Sequence, residues 1–410
     1  MKKRILSLVL AALMIMAVAV MAGCEKKDDK GTTKDSGTAK STESTPSTTE
    51  PTPSGEKFKV GVIHIGNPSD GAGYSYAHDQ GIVGMVKNIG EDKIEVIRKN
   101  NVSDTDAAAA KTAMEECIEA GCKIIFGTSW GYMETMAELA EQYPDVIFSH
   151  ATGYKSNDTN FNNYFGRIYQ ARYLSGIAAG LKTSSNLIGY VAAMGIDNAE
   201  VTGGIDAFAK GVAAVNPDAK IYVKVINTWG DVDLEGQAAD ALLDLGCDVI
   251  AQHCDSTAPQ TAAEKKGAFG CGYNSDMTKD APKAHLTAPI WNWDVYYTAA
   301  VEAAMNGKWK EFGNYFGGLK EGFVDISPLS DNCAEGTAEI IAAVKALIVN
   351  GEFGVFDGKQ VKVDGTTVTL VDEAIKDNTG KEIVAAGGAC LDDATITGAI
   401  NWYYSNVEVK

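Results

Sequence analysis

From Lys57 onward, short Val- and Ile-rich runs alternate with longer amphipathic stretches, and this rhythm narrows the possible folds more than any other feature of the chain. Phe58–Ile65, Ile94–Arg98, Lys123–Thr128 and Val146–His150 read as strands apolar on both faces. Such strands belong to parallel sheets covered by helices on either side. Helical periodicity fills the gaps at Tyr76–Lys87, Asp106–Ala120 and Tyr132–Gln142. A second series repeats the theme, with strands at Leu187–Ala192, Ile221–Ile226, Val249–His253 and Ala268–Cys271. Its helices are predicted at Val201–Val215, Gly236–Leu245 and Ala258–Lys266. Two series in tandem, over a stretch too long for one typical core, predict an α/β protein of two doubly wound lobes.

Local signals agree with this rhythm. Ser103 to Asp106 offers N-caps to the Ala-rich helix, and Gly121 and Gly246 fit positions just past helix ends. Pro144 and Pro217 punctuate links into the following strands. After Ala281 the chain is expected to revisit both lobes. Leu286–Ile290 and an Asp294–Met305 helix return to the first, Gly322–Ile326 crosses back, and Thr337–Val349 forms a helix of the second. The expected division is 57–169 with about 286–320 in lobe 1, and 170–285 with about 321–410 in lobe 2. Phe353–Ala385, alternating Val and Thr among Gly and Asp, reads as a cap containing a hairpin. Repeated crossings make a multi-strand hinge, a hinge makes a cleft, and ligands of such sheets bind beyond the carboxyl ends of the strands.

The N-terminus carries a different message. Lys2, Lys3 and Arg4 precede an uncharged apolar run from Ile5 to Val20 that ends in Met21-Ala22-Gly23-Cys24. This is the layout of a secretory signal (1–23) with a lipobox, in which Cys24 carries the lipid. The rival reading, an uncleaved membrane helix, leaves the Ala-Gly-Cys ending without a purpose. Residues 24–56, mostly Lys, Asp, Ser, Thr, Pro and Gly, read as a flexible tether. The expected location is the extracytoplasmic face of the cell membrane, through the lipid anchor alone.

A formal charge of −18 argues against nucleic acid or anionic lipid as a partner. Of eight cysteines, Cys24 is assigned to lipid; the other seven show no CxxC and several fall within apolar runs, so mostly free thiols are expected. Gly71-x-Gly73 lacks the remainder of a dinucleotide fingerprint, and no Walker lysine is present. The five histidines have no metal-ligand spacing, and Ser129 has no G-x-S-x-G context. No metal, cofactor or catalytic constellation is therefore expected, and an enzyme is the least favoured class.

The strand ends are unusually polar and aromatic. Gly66 through Tyr76 follows the first strand, Ser129-Trp130-Gly131-Tyr132 the third, and Asn227 through Asp231, with Trp229, a strand of the second series. His253 through Thr257, Asn274-Ser275-Asp276 and Trp291-Asn292-Trp293-Asp294 complete the set. A flat hydrogen-bonding heterocycle suits such a surface, because each base–aromatic stack contributes about 1–3 kcal/mol. Asp255 and Asp276 would accept from ring N–H, amino or hydroxyl donors. Each residue also has a structural reading: a loop Trp can lid the core, and Asp255 ahead of Ser256-Thr257 can cap a helix. The cluster, including Asp70, Tyr74, Trp130, Gly131, Tyr132, Trp229, Asp255, Asp276 and Trp293, carries more weight than any member.

Several motifs also resemble the basic membrane protein family of substrate-binding lipoproteins, in its purine and purine nucleoside branch. They are Lys59-Val60-Gly61-Val62 leading to Asp70, Tyr76 through Gly81, Thr128 through Met133, His150 through Lys155, Asn227-Thr228-Trp229, Gln252 through Thr257 and Ser275-Asp276-Met277. The resemblance spans Phe58 to about Phe323. It implies a type I periplasmic-binding-protein fold, a monomer that delivers a purine base or nucleoside to an ABC permease and its ATPase, and a closing hinge. By position, Tyr74 and Trp130 resemble its stacking residues, Trp229 the opposite wall, and Asp255 and Asp276 polar contacts. That branch usually has Trp in place of Tyr74 and often Phe in place of Trp130. Riboflavin, a sugar, or a ligand sensed rather than imported are the alternatives.

Overall fold

Strand β1 (Phe58–Ile63) runs into helix α1 (Gly73–Ile89), then β2 (Ile94–Lys99), α2 (Ala107–Glu119), β3 (Ile124–Gly127), α3 (Met133–Gln142), β4 (Ile147–Ala151) and β5 (Phe161–Gly166). These residues come from a computed structural model that describes Gly55–Lys410; the expected secretory signal, the expected lipidation at Cys24 and the expected tether up to Ser54 lie outside the described residues. Asp106 caps α2 by accepting from the amides of Ala108 and Ala109. The helix ends at Gly121 (φ 90°), where the Gly121 and Cys122 amides donate to the carbonyls of Ile118 and Cys117. Gly246 (φ 94°) closes a later helix by the same paired bonds, and only glycine adopts this left-handed turn without strain.

Helix α4 (Ile168–Lys182) leads to the second series: β6 (Leu187–Ala192), α5 (Ala199–Val215), β7 (Lys220–Val225), α6 (Val232–Asp244), β8 (Val249–His253), α7 (Ala258–Lys265), β9 (Phe269–Cys271) and β10 (His285–Thr287). The core is deepest where α4 crosses α5. A Cβ at Gly176 would lie 2.2 Å from the Phe208 carbonyl and one at Gly211 only 2.1 Å from that of Tyr173, so glycine permits the contact. Around this crossing Tyr173, Leu174, Ile177, Phe208 and Val212 are fully buried.

The chain then returns through β11 (Pro289–Trp291), α8 (Trp293–Met305), α9 (Trp309–Phe312), β12 (Tyr315–Gly317), β13 (Val324–Ile326) and α10 (Thr337–Val349). The tail holds β14 (Lys359–Asp364), β15 (Thr367–Asp372), β16 (Ile375–Lys376), β17 (Glu382–Val384), α11 (Asp393–Gly398) and β18 (Val407–Val409). The first sheet has the order β12-β5-β4-β3-β1-β2 and the second β10-β9-β8-β6-β7-β18; every pairing in both is parallel. β11 and β13 form an antiparallel ribbon apart from both sheets, pairing Pro289 with Ile326 and Trp291 with Val324.

This is the two-sheet α/β architecture of the type I periplasmic-binding-protein fold. Some local expectations need correcting. Leu286 and Thr287 were expected in the first lobe, yet β10 hydrogen-bonds to β9 of the second sheet. The passage to the first sheet comes later: α8 packs on α1, and β12 pairs with β5. The tail contains the expected hairpin, β14–β15, and also adds β18 to the edge of the second sheet. It is held by Lys210, which is buried in α5 and whose Nζ donates to the carbonyls of Val355, Asp357 and Lys359.

Candidate functional site

In an open parallel sheet the crevice lies at the switch point, where neighbouring strands send their connections to opposite faces. In the first sheet that point is between β1 and β3, and in the second between β6 and β8. Four loops therefore define the site from topology alone. The loop after β1 ends at Tyr74, that after β3 carries Trp130, that after β6 leads into Glu200, and that after β8 carries Asp255. The two lobes meet here, since a Cβ at Gly73 (φ +81°) would lie 2.5 Å from the Asp255 carbonyl.

On the first lobe, Tyr74 is the second residue of α1, its ring edge-on to His78 at 4.4 Å. Its hydroxyl is shielded and without a hydrogen-bond partner. Burial, reinforced by Tyr164, Glu200, Tyr273 and Asp255, pushes the phenol well above its ordinary value. Trp130 projects outward, 55% exposed, with Tyr154 beside it at 5.8 Å. On the second lobe, the Asp255 amide donates to the Trp229 carbonyl at 2.8 Å, tying the loops after β7 and β8 together. Trp229 itself lies edge-on to His253 at 5.7 Å. Asp255 accepts from Asn274 Nδ2 at 2.8 Å, and Asn274 Oδ1 is left buried and unpaired. Burial raises the Asp255 carboxyl to about 7; Asn274 and Arg172 oppose the shift, while Glu235 and Glu200 add to it.

Beneath these loops lies a fully buried polar group. Arg172 stacks over Tyr273, 4.1 Å from its centroid, and donates to the Tyr190 hydroxyl and the Gln252 carbonyl. Its Nε and Nη2 have no partner, nor has either ring nitrogen of His253. Burial, and to a lesser degree the charge of Arg172, holds His253 well below its ordinary value and therefore neutral.

Tyr74, Trp229 and Asp255 are thus brought to the facing loops of the two lobes, with Trp130 at the switch point of the first sheet. The other expected residues go elsewhere. Tyr132 is completely buried in the first lobe, its hydroxyl donating to the Val102 carbonyl at 2.5 Å. Trp293 is also completely buried, stacked on Trp291 at 4.6 Å and His78 at 3.9 Å, and so supports the cleft from behind. Gly131 abuts the Asp104 carbonyl, which a Cβ would meet at 2.3 Å. Asp70 is exposed in a short turn, and Asp276 is exposed with its Oδ1 accepting from the Thr278 amide at 2.9 Å. Asp276 flanks a crevice of about 190 Å³ between α1, Asn274 and Trp291–Asp294.

Glu200 was absent from the sequence-derived set. It is the second residue of α5, where an acid is ordinarily explained by the helix dipole. Only the strand order, which places the loop after β6 at the switch point, distinguishes it. Its Oε1 is 3.6 Å from His253 Nε2, and burial raises its carboxyl to about 7 against the pull of Arg172. Among the described residues, no helix is long and apolar enough to cross a membrane.

Comparison with known proteins agrees with this architecture. A family model described as "ABC transporter substrate-binding protein PnrA-like" matches residues 57–358. A purine-binding protein of Brucella abortus is 37% identical over 355 residues, which is 87% of this chain and 94% of that protein. A Haloferax volcanii protein named for glucose binding by an ABC transporter is 36% identical, over 74% of this chain and 75% of its own. Among solved structures, a solute-binding protein of an ABC transporter from Conexibacter woesei superposes with a TM-score of 0.60 at 18% identity, covering 72% of this chain and 98% of that one. A transcriptional activator from Bacillus halodurans gives 0.61 at 19%, covering 72% and 99%, so the fold is shared beyond transport. With the family model covering most of the described residues, this chain belongs to the Bmp family of PnrA-like ABC transporter substrate-binding proteins.

Proposed function

We propose that this protein captures a purine base or nucleoside in the inter-lobe crevice and presents it, as a lipid-anchored monomer on the extracytoplasmic face, to an ABC permease. The observation that carries this reading is the meeting of aromatic faces with carboxylate and amide acceptors at the two switch points. Tyr74 and Trp130 contribute rings from one lobe, and Trp229, Asp255 and Asn274 the opposite wall. The high identity to a purine-binding relative supports the same ligand class.

The mechanism follows from the polar atoms at the lobe interface. The Tyr74 hydroxyl and Asn274 Oδ1 are buried without a protein partner, and on this reading closure of the lobes is what shields them. Each such group disfavours closure by about 1–3 kcal/mol. A ligand that bonds to them offsets that cost, so the closed form becomes the populated one only when cargo is bound. The permease would then recognise a shape that reports occupancy.

The test is thermal melting of the protein, unfolded and refolded to strip co-purified ligand, against adenine, guanine, hypoxanthine, their nucleosides, riboflavin and glucose. A ligand at ~100 times its dissociation constant adds about 2.7 kcal/mol. A shift with purines alone upholds the reading. A shift with glucose alone, the ligand class of the Haloferax relative, replaces purine by sugar and leaves the fold and family untouched. Anchoring through Cys24 is tested by the mass of the N-terminal peptide from membranes, which should carry a diacylglyceryl adduct; an unmodified Cys24 removes that part.

A further inference from the structure

We propose that Glu200 is a specificity-determining contact of the crevice, selecting with Asp255 a purine base that bears an exocyclic amino group over one that bears only ring N–H and oxo groups. The inference rests on the purine reading above and names the member of that class.

The free hydrogen-bonding capacity around the crevice is strongly one-sided. The Glu200 carboxylate makes no hydrogen bond among the described residues; His253 Nε2 lies 3.6 Å from its Oε1, beyond bonding range. Asp255 accepts one bond, through Oδ1 from Asn274, and keeps Oδ2 available. Asn274, 1% exposed, spends its amide nitrogen on Asp255, which leaves its Oδ1 an unpaired acceptor. Tyr74 faces this group from the other lobe, its phenol sensing both carboxylates. The unpaired N–H groups of Arg172 lie deeper, against the Tyr273 ring.

Acceptors therefore outnumber accessible donors, and the complementary ligand is rich in N–H. Adenine and guanine present an amino group in addition to ring N–H; hypoxanthine lacks it. A buried acceptor left unmet, as Asn274 Oδ1 is, discriminates strongly, because the site then loses a bond without regaining solvent; Glu200, its side chain 24% exposed, adds a half-buried carboxylate to the same side. The competing role is that Glu200 merely stabilises the first turn of α5 through the helix dipole, which would alter stability and leave ligand preference alone.

The experiment is isothermal titration of the refolded protein and its Glu200→Gln and Glu200→Asp variants with adenine, guanine, hypoxanthine and adenosine. The unsubstituted protein should prefer adenine or guanine over hypoxanthine by at least tenfold. Glu200→Gln should bring the two classes within about threefold while hypoxanthine binding hardly changes, and Glu200→Asp, which keeps the charge, should retain part of the preference. Equal losses for all bases, or an unaltered preference, overturn the assignment. So does a preference for adenosine that Glu200→Gln abolishes, which would place the carboxylate on the sugar. Absence of binding by any purine removes the proposed function and this assignment together, whereas purine binding with an unaltered preference removes the assignment alone.

Discussion

Trp130 and Asp255 lie at the two switch points, and their burial sets what each substitution should do. Trp130 is 55% exposed, so Trp130→Ala forfeits little core packing. It should weaken purine binding by about 1–3 kcal/mol by titration, with the melting point of the free protein almost unmoved. The carboxylates predict a pH signature. Glu200 and Asp255 are each held up to about 7 by burial, whereas a free carboxyl titrates near ~4. The folded protein thus retains protons that the unfolded chain has released. Their contribution to stability is full below about pH 4 and is lost as pH rises toward about 7. Groups facing them do not oppose this in that window: His253 stays neutral, and Tyr74 and Tyr273 are pushed upward. Melting across about pH 5–8 should therefore show a decline that flattens in a Glu200→Gln, Asp255→Asn double variant. Affinity for an amino-bearing base should rise over the same interval, as the acceptors ionise. Tyr74, Trp130, Trp229 and Asp255 were legible in the sequence because a strand end is legible. Tyr132 and Trp293 misled because residue type does not reveal which side of a loop faces the core.

At the scale of elements, the strands flanking each switch point were readable from Val and Ile runs, and Leu187–Ala192 and Val249–His253 match their observed bounds. Helix α4 was not readable. Twelve of its fifteen residues are buried, so no polar stripe marks its period, and Gly176 and Gly180 suggest a turn where they in fact allow close helix contact. β12 and β18 are three residues each, too short to carry alternation, and depend on the sheets they join. The tail's dependence on α5 can be measured. Lys210 is 2% exposed, and burial lowers its pKa to about 8, so it remains charged at neutral pH and holds three carbonyls. Lys210→Met should cost roughly 3 kcal/mol by leaving those carbonyls unpaired. Hydrogen exchange should accelerate first around Val355–Lys359; a loss spread evenly over both sheets would refute the local account.

For the molecule as a whole, closure depends on how nearly the lobes can approach. Gly73→Ala adds a methyl group 2.5 Å from the Asp255 carbonyl, at a φ of +81° that alanine tolerates poorly. Ligand binding should weaken at least tenfold, and X-ray scattering should no longer show the compaction that cargo produces in the unsubstituted protein. The sequence conveyed two lobes and a hinge because repetition and length are global properties. It did not convey where the chain crosses, because β10, β11 and β13 are short apolar segments that suit either sheet or neither. The crossings have a bearing on ancestry. The first sheet takes its edge strand β12 from beyond all of β6–β10, and the second takes β18 from the last residues of the chain. Neither lobe is therefore a contiguous stretch of gene. A single crossover within α4 between two such genes separates the two pairs of cleft loops but leaves the first sheet with an edge strand, β12, from the other parent, so exchange of a cleft wall has to tolerate a foreign edge strand.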